Sequence, residues 1–473
     1  MAGSIIAGEE RRDGHPLDVL DKYHLTPLDP LHAATERDVA DALDAARRYA
    51  DAPLAPPERA ERLRAAADLI EERRPTIRDA MVTEAGFPSR DADGEVGRTI
   101  ATLRLSAEEA TRIAGEMVPF DGAVAGRIGF TLRVPVGIVV AITPFNAPLN
   151  TPAHKVGPAL AAGNAAILKP SEKTPTPATL LVRALLDAGF PPGAVQTLQG
   201  GPDVARALLT DPRPAFYAFT GSTAVGAAIH AGAGLRRTQM ELGSIASTIV
   251  LDGDLPTIAA KCAAASFRKA GQVCTSIQTL YVARDAHDTF REAYLTEASR
   301  LVTGDPNDPE TDVGPMISKA AADRVVAMLE GSDILLGGTR ERATLAPTVI
   351  VNPSERYLSE EAFGPVAALV PVDDLADAVA RVNATPYGLA TGVFTRDVGR
   401  AFEAARTLHV GGVHINETSS SRVDLMPYGG VKASGFGQEG PRHAIREMTE
   451  ARLVTFSGLA GWGAGWGACD TTS

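Results

Sequence analysis

Cys274 lies in GQVCTS, between a helical segment at 258–268 and the strand-like run IQTLYV, a junction where a thiol can face a cleft. Glu241, in TQMELGS, follows a short apolar run and precedes small residues, the pattern of a strand end from which a carboxylate reaches such a cleft. Asn146 follows GIVVAITPF in TPFNAPLN, where two prolines fix the loop and the amide can donate to an oxyanion. Phe219, Thr220, Gly221 and Ser222 close another strand and lead into TAVGAAIHAGAG, so that strand, glycine turn and helix N-terminus come in series, an arrangement that attracts a pyrophosphate. A thiol nucleophile, an oxyanion donor, a carboxylate base and a seat for a nucleotide are the parts that covalent oxidation of an aldehyde demands. Each also has a plain alternative. Alone, Cys274 reads as a buried structural cysteine, Glu241 as a solvated glutamate and Asn146 as a turn residue, and the glycine turn is not the GxGxxG of the common dinucleotide fold.

The elements that must position these groups follow from periodicity. Residues 36–117 place Ala, Leu and Ile at i, i+3, i+4 among charges and read as mainly helical. From Arg133 onward, Val- and Ile-rich runs (VPVGIVVAI, NAAILKP, AVQTLQG, AFYAFTG) alternate with helical segments such as TPAHKVGPALAAG and PATLLVRALLDAGF. A second alternating stretch begins near Ile249 and runs to GGVHINE. The expectation is an α/β protein of two Rossmann-like parallel-sheet domains. The cofactor-binding domain comprises 1–117 and 134–243 and the catalytic domain 244–450, while 118–133 and 451–457 form a small protruding β-arm for oligomerisation and 458–473 a Gly-rich tail.

Composition bounds the partners. The 473 residues suffice for two cores, and 45% hydrophobic with 22% charged residues is the balance of a soluble globular chain. A net charge of −12 disfavours nucleic acid and anionic membrane surfaces. Three scattered cysteines, Cys262, Cys274 and Cys469, without CxxC spacing suggest neither a disulfide framework nor a metal site. The N-terminus lacks the apolar core of a secretory signal, and the longest apolar stretch, 134–142, is too short to span a bilayer, so a cytoplasmic location is expected.

Taken together, ITPFNAPLN, ILKPSEKTP, FTGSTAVG, MELGS, GQVCTS, EEAFGPV and PYGGVKASGFGQEG, in this order, resemble the aldehyde dehydrogenase superfamily from Asp38 to Phe456. The resemblance implies that Cys274 is the nucleophile, that Asn146 and the Cys274 backbone N–H form the oxyanion hole, and that Glu241 activates the water that hydrolyses the thioester. It implies an NAD site, with NADP possible, built from Thr143, Pro144, Phe145, Lys169, Ser171, Glu172, Phe219, Thr220, Gly221, Ser222 and Leu242, with Glu361 and Phe363 at the nicotinamide end. Glu172 hydrogen-bonds ribose hydroxyls and repels a 2′-phosphate, which favours NAD, while Lys169 and Ser171 offset part of that repulsion. Two departures stand out: residues before Asp38 lack the usual NPATGE turn, which puts the N-terminal strands in doubt, and Ser244 replaces a second glycine in MELGS.

The motifs look closest to the branch holding lactaldehyde, glycolaldehyde, non-phosphorylating glyceraldehyde-3-phosphate and phosphonate-aldehyde dehydrogenases, so a small polar or anionic aldehyde is the expected substrate. Arg104 and His154 align with its substrate mouth, where a guanidinium and an imidazole suit a carboxylate, phosphate or phosphonate. Thr275 and Arg422 are further substrate candidates, and Arg422 and Asp424 either shape the entrance or pair with each other. Val273 stands where phosphonoacetaldehyde enzymes usually carry arginine. The resemblance also implies a homodimer or homotetramer. Two competing readings remain, a coenzyme A-acylating dehydrogenase or reductase, against which Glu241 counts, and a non-catalytic binding protein, against which Cys274, Glu241 and Asn146 count together.

Overall fold

The computed structural model describes residues 3–120 and 127–457. The Gly-rich tail at 458–473, with Cys469, lies outside the described residues. Four helices, Glu36–Asp51, Pro56–Glu72, Arg74–Ala85 and Ser89–Ala110, fill most of the segment expected to be helical. Their ends follow local chemistry: Thr35 and Asp38 cap the first reciprocally, and prolines occupy the opening positions of the second and third. The inner faces bury Leu43, Leu63, Ile70, Met81 and Leu103 in one continuous core.

Among the described residues, the strands form an eight-stranded sheet, a seven-stranded sheet, a three-stranded sheet and two ribbons of two strands. The centre of the first sheet is parallel, in the order Val195–Thr197, Ala165–Lys169, Ile138–Ile142, Phe216–Thr220, Arg237–Glu241. Ile138–Ile142 and Ala165–Lys169 are buried along their whole length, as strands covered on both faces must be. The chain runs outward from Ile138–Ile142 in one direction, then returns to its other side with Phe216–Thr220, so the strand order reverses between these two. Such a reversal opens a crevice at the carboxyl ends. In the second sheet, Ser247–Val250 lies between Thr279–Ala283 and Ala390–Phe394, all parallel. Only five residues separate Glu241 from Ser247, so the carboxyl edge of the first sheet faces the amino edge of the second.

Three outcomes differ from the sequence expectation. Ser4–Ile6 and Glu9–Arg11 form a hairpin that extends the first sheet beside Val195–Thr197, so the N-terminal strands exist without the usual turn motif. The block 244–450 is not one unit: Gly435–Phe436 pairs with Arg237–Glu241, and Ala444, Ile445 and Met448 join the first core. The reason is that the helix Pro441–Glu447 buries its apolar side against helix Asn150–Ala162. The arm is a three-stranded sheet rather than a strand pair, with Thr449–Phe456 along Ile128–Pro135 and Met117–Val118 on the far side.

Buried Asn164 ties the arm to the first sheet: its Oδ1 accepts from Gly137 N at 2.9 Å and its Nδ2 donates to Met448 O at 2.9 Å. Asn164→Ala strands both backbone groups, so chemical denaturation should show a loss of about 2 to 4 kcal/mol with no change in secondary structure.

Candidate active site

Cys274 sits just before the second sheet because the chain turns sharply after helix Leu255–Phe267. Lys269, Ala270 and Gly271 hold φ of 52°, 54° and 66°, a run of left-handed residues costing about 1–3 kcal/mol at each of the two that are not glycine. Gly271 has no alternative there, since a Cβ would come 2.1 Å from Gly364 O. The strained turn is held by a buried ion pair: Lys269 Nζ bonds to Glu95 of helix Ser89–Ala110, lies 4.0 Å over the Phe87 ring and donates to Asn146 O at 3.2 Å. Glu95 Oε1 also accepts from Leu149 N at 2.9 Å and Asn150 N at 3.2 Å. Asn146 in turn donates from Nδ2 to Gln272 O at 2.8 Å. One amide hydrogen is thereby used to fix the group beside the Cys274 turn, and an amide carries two.

Glu241, at the end of strand Arg237–Glu241, is buried in contact with Cys274. Burial, reinforced by the nearby Glu439 carboxylate, pushes the Glu241 carboxyl well above its ordinary range. Burial and Glu241 push the Cys274 thiol up as well. Glu439 behaves oppositely: burial opposes its charge, but Lys155 at 3.0 Å and Arg422 at 2.8 Å hold it ionised and well below the carboxylate range. Tyr428, which the motif reading did not single out, places Oη 2.8 Å from Cys274 Sγ and 3.5 Å from Glu241 Oε1.

The residues assigned to a dinucleotide line the carboxyl edge of the first sheet. Thr143 follows strand Ile138–Ile142, Lys169 ends its neighbour with Ser171 and Glu172 beyond it, and Ser222 heads the helix Thr223–Ala233. Lys169 is buried and lies 3.4 Å from Glu172 Oε2. A Cβ at Gly221 would come 2.5 Å from the Phe219 ring, so any larger residue in the turn requires that ring to shift. Leu242 is buried behind the turn, against helix Thr223–Ala233 at Gly226. Thr220 differs from expectation, because its hydroxyl donates to Glu439 Oε1 at 3.1 Å. Phe145 and Phe363 meet edge to face at 6.0 Å, beside Pro144. Glu361 accepts from Ser244 N at 2.9 Å, and burial raises its carboxyl to about 7. The buried hydroxyls of Thr143 and Ser244 have no hydrogen-bond partner among the described residues, and Ser222 makes no side-chain cap, so this edge offers unspent donors that fit a nicotinamide dinucleotide.

The proposed substrate residues fare unequally. Arg104 is exposed and pairs with Asp68 at 2.9 Å on the outer face of its helix, so the expectation that it lines the mouth is corrected. The helical step explains this: Thr102 and Glu95 face inward, and two residues beyond Thr102 is about 200° around the axis. Arg98 is the arginine that points inward, its Nη2 reaching Asp424 Oδ1 at 2.7 Å; the sequence did not mark it, because nothing in it shows that Glu95, three residues before, faces inward. His154 is buried, with Nε2 2.9 Å from Asp424, and burial lowers its pKa, so it is no cation facing an opening. Arg422 pairs with Glu439 and not with Asp424, which settles that alternative. Thr275 is buried, bonded through its carbonyl to Ser419 and Ser420, each at 2.9 Å.

Removing one partner of the Glu95–Lys269 pair leaves a buried charge. Lys269→Met is expected to lower unfolding free energy by about 3–5 kcal/mol in denaturant titrations, with activity falling in step as Asn146 is released.

Residues 9–454 match the aldehyde dehydrogenase family model. A 3-sulfolactaldehyde dehydrogenase of Priestia megaterium is 42% identical over 466 residues, covering 96% of this chain and 98% of that protein. Among solved structures, aldehyde dehydrogenase 21 of Physcomitrella patens, in complex with the reaction product succinate, is 35% identical with a TM-score of 0.94, covering 97% of this chain and 99% of that one. The glyceraldehyde-3-phosphate dehydrogenase of Methanocaldococcus jannaschii, complexed with NADP, is 34% identical with a TM-score of 0.90, covering 95% and 100%. No helix among the described residues is long and apolar enough to cross a membrane. The chain therefore belongs to the aldehyde dehydrogenase family and is an NAD(P)-dependent oxidoreductase.

Proposed function

We propose that the protein oxidises a short aldehyde with an anionic far end to the free carboxylic acid, through a thioester on Cys274. The observation that carries this reading is the convergence of Cys274, Glu241 and Asn146 at the facing edges of two sheets. Glu241 takes the thiol proton, the thiolate adds to the carbonyl carbon, and the Asn146 amide with the Cys274 N–H receives the oxyanion. NAD(P)⁺, when bound, would supply the acceptor for a hydride, one proton with two electrons, leaving the substrate carbon as the oxyanion collapses to the thioester. Once the thiol proton has passed from Glu241 to solvent, the regained carboxylate deprotonates the water that cleaves the thioester and the Cys274 sulfur leaves as thiolate, a duty that separates acid release from transfer to coenzyme A. Glu172, so close to Lys169, suits ribose hydroxyls and favours NAD over NADP.

Arg422 supports the anionic substrate. Burial opposes its charge, but Glu439 more than offsets that, and its buried Nε has no partner among the described residues. Its guanidinium lies 3.7 Å over the Tyr428 ring, next to the thiol. Three relatives point the same way, since their named substrates or product carry a sulfonate, a second carboxylate and a phosphate, whereas the lactaldehyde dehydrogenases among the relatives act on a neutral aldehyde. The exposed Leu132, Leu453 and Phe456 on the arm suit a homodimer or homotetramer in the cytoplasm.

Turnover is expected to vanish in Cys274→Ala. In Arg422→Gln the ratio of kcat/KM for sulfonate-, carboxylate- or phosphate-bearing aldehydes over a neutral aldehyde of equal length should fall about tenfold or more. An unchanged ratio overturns the anion assignment, and acyl-coenzyme A formation overturns acid release. The sharing of one proton between Cys274 and Glu241 makes the acid limb of kcat follow the raised Glu241 carboxyl. Activity is present above that value and lost as pH falls through it, so kcat should climb from about pH 6 to about pH 9.

A further inference from the structure

Tyr428 is more firmly placed than a wall residue requires. Its backbone exchanges hydrogen bonds with Glu439, at 3.1 and 2.7 Å, which fixes it to the same strand-like segment that carries the buried carboxylate. Its side chain is only 7% exposed, and Arg422 lies 3.7 Å over the ring face. From that position Oη reaches both the Cys274 sulfur, at 2.8 Å, and the Glu241 carboxylate, at 3.5 Å. A thiolate formed at this half-buried position loses part of water's hydrogen bonding, and a fixed neutral donor offsets that loss without adding a second charge.

We propose that Tyr428 is a further catalytic residue, whose phenolic hydroxyl donates to the Cys274 sulfur while the thiol proton passes to Glu241. In this step the S–H bond breaks, an O–H bond forms on Glu241, and Tyr428 keeps its own proton. As the sulfur lone pair enters the bond to the substrate carbon, the Tyr428 bond weakens and the new negative charge appears on oxygen, at Asn146. Burial, together with the neighbouring Cys274 and Glu241, raises the affinity of the phenol for its proton, which keeps it a donor. The guanidinium over the ring strengthens that donor. If the tyrosine were only a spacer, phenylalanine would serve equally, since it keeps the ring and the contact with Arg422.

The inference rests on Cys274 as nucleophile and Glu241 as base, so the test reads the thiol itself, without substrate. Native protein and Tyr428→Phe are alkylated with iodoacetamide across a pH series, the Cys274 peptide is quantified by mass, and thermal melting is recorded beside it. Tyr428→Phe should slow alkylation about tenfold near neutral pH and move its midpoint up by about one pH unit, with the melting temperature nearly unchanged. Incorporating 3,5-difluorotyrosine at position 428, a more acidic donor of nearly the same shape, should move the midpoint down. A reactive native thiol whose profile neither replacement shifts overturns this inference alone. A native Cys274 that resists alkylation throughout overturns the nucleophile assignment, and this inference with it.

Discussion

The buried ion pair between Lys269 and Glu95 is the constraint on which the rest of the site depends. Its ammonium holds the left-handed turn that precedes Cys274 and bonds the backbone of Asn146, and its carboxylate collects the N–H groups of Leu149 and Asn150. Nucleophile loop, oxyanion loop and helix Ser89–Ala110 are thereby locked together. A buried charge pair is a poor source of net stability, because desolvation consumes most of the attraction. It is a good source of position, since any displacement leaves two charges without water. Placing such a pair under a strained turn lets the tertiary structure retain a backbone that Lys269 and Ala270 would otherwise leave.

A second division of labour separates two buried carboxylates in one chamber. Glu439 faces Lys155, Arg422 and Thr220 and stays ionised, whereas Glu241 faces the thiol and a phenol and is pushed towards its neutral form. The permanent charge of Glu439 raises the proton affinity of Glu241, and so the group asked to move protons is the one whose affinity is tuned. The same economy appears on the other wall, where Asp424 is held ionised by Arg98 and by neutral His154. Arg422 alone of the proposed substrate residues keeps both a charge and an unspent donor beside the thiol.

The alternation of apolar runs with helical periodicity in the sequence determined two parallel sheets, and the local order of strand, glycine and helix N-terminus determined where a dinucleotide edge would lie. Glu241 ends a strand while Asn146 and Cys274 lie in loops next to one, places fixed by short-range patterns, but the roles of all three were legible only through the run of motifs that resembles the family. Only the tertiary structure decided which arginine turns inward. Arg98 and Arg104 lie on one helix with similar local sequence, and their difference arises from which face packs against helix Asn150–Ala162. The pairing of Arg422 with Glu439, the return of residues 435–448 to the first core and the approach of Tyr428 to Cys274 join positions tens to hundreds of residues apart or turn on side-chain direction, and the sequence carries no periodicity for either. Burial settles the rest: whether His154 is a cation and whether Glu241 is a base depend on how much water each has lost, which is a property of the folded chain and not of the residue.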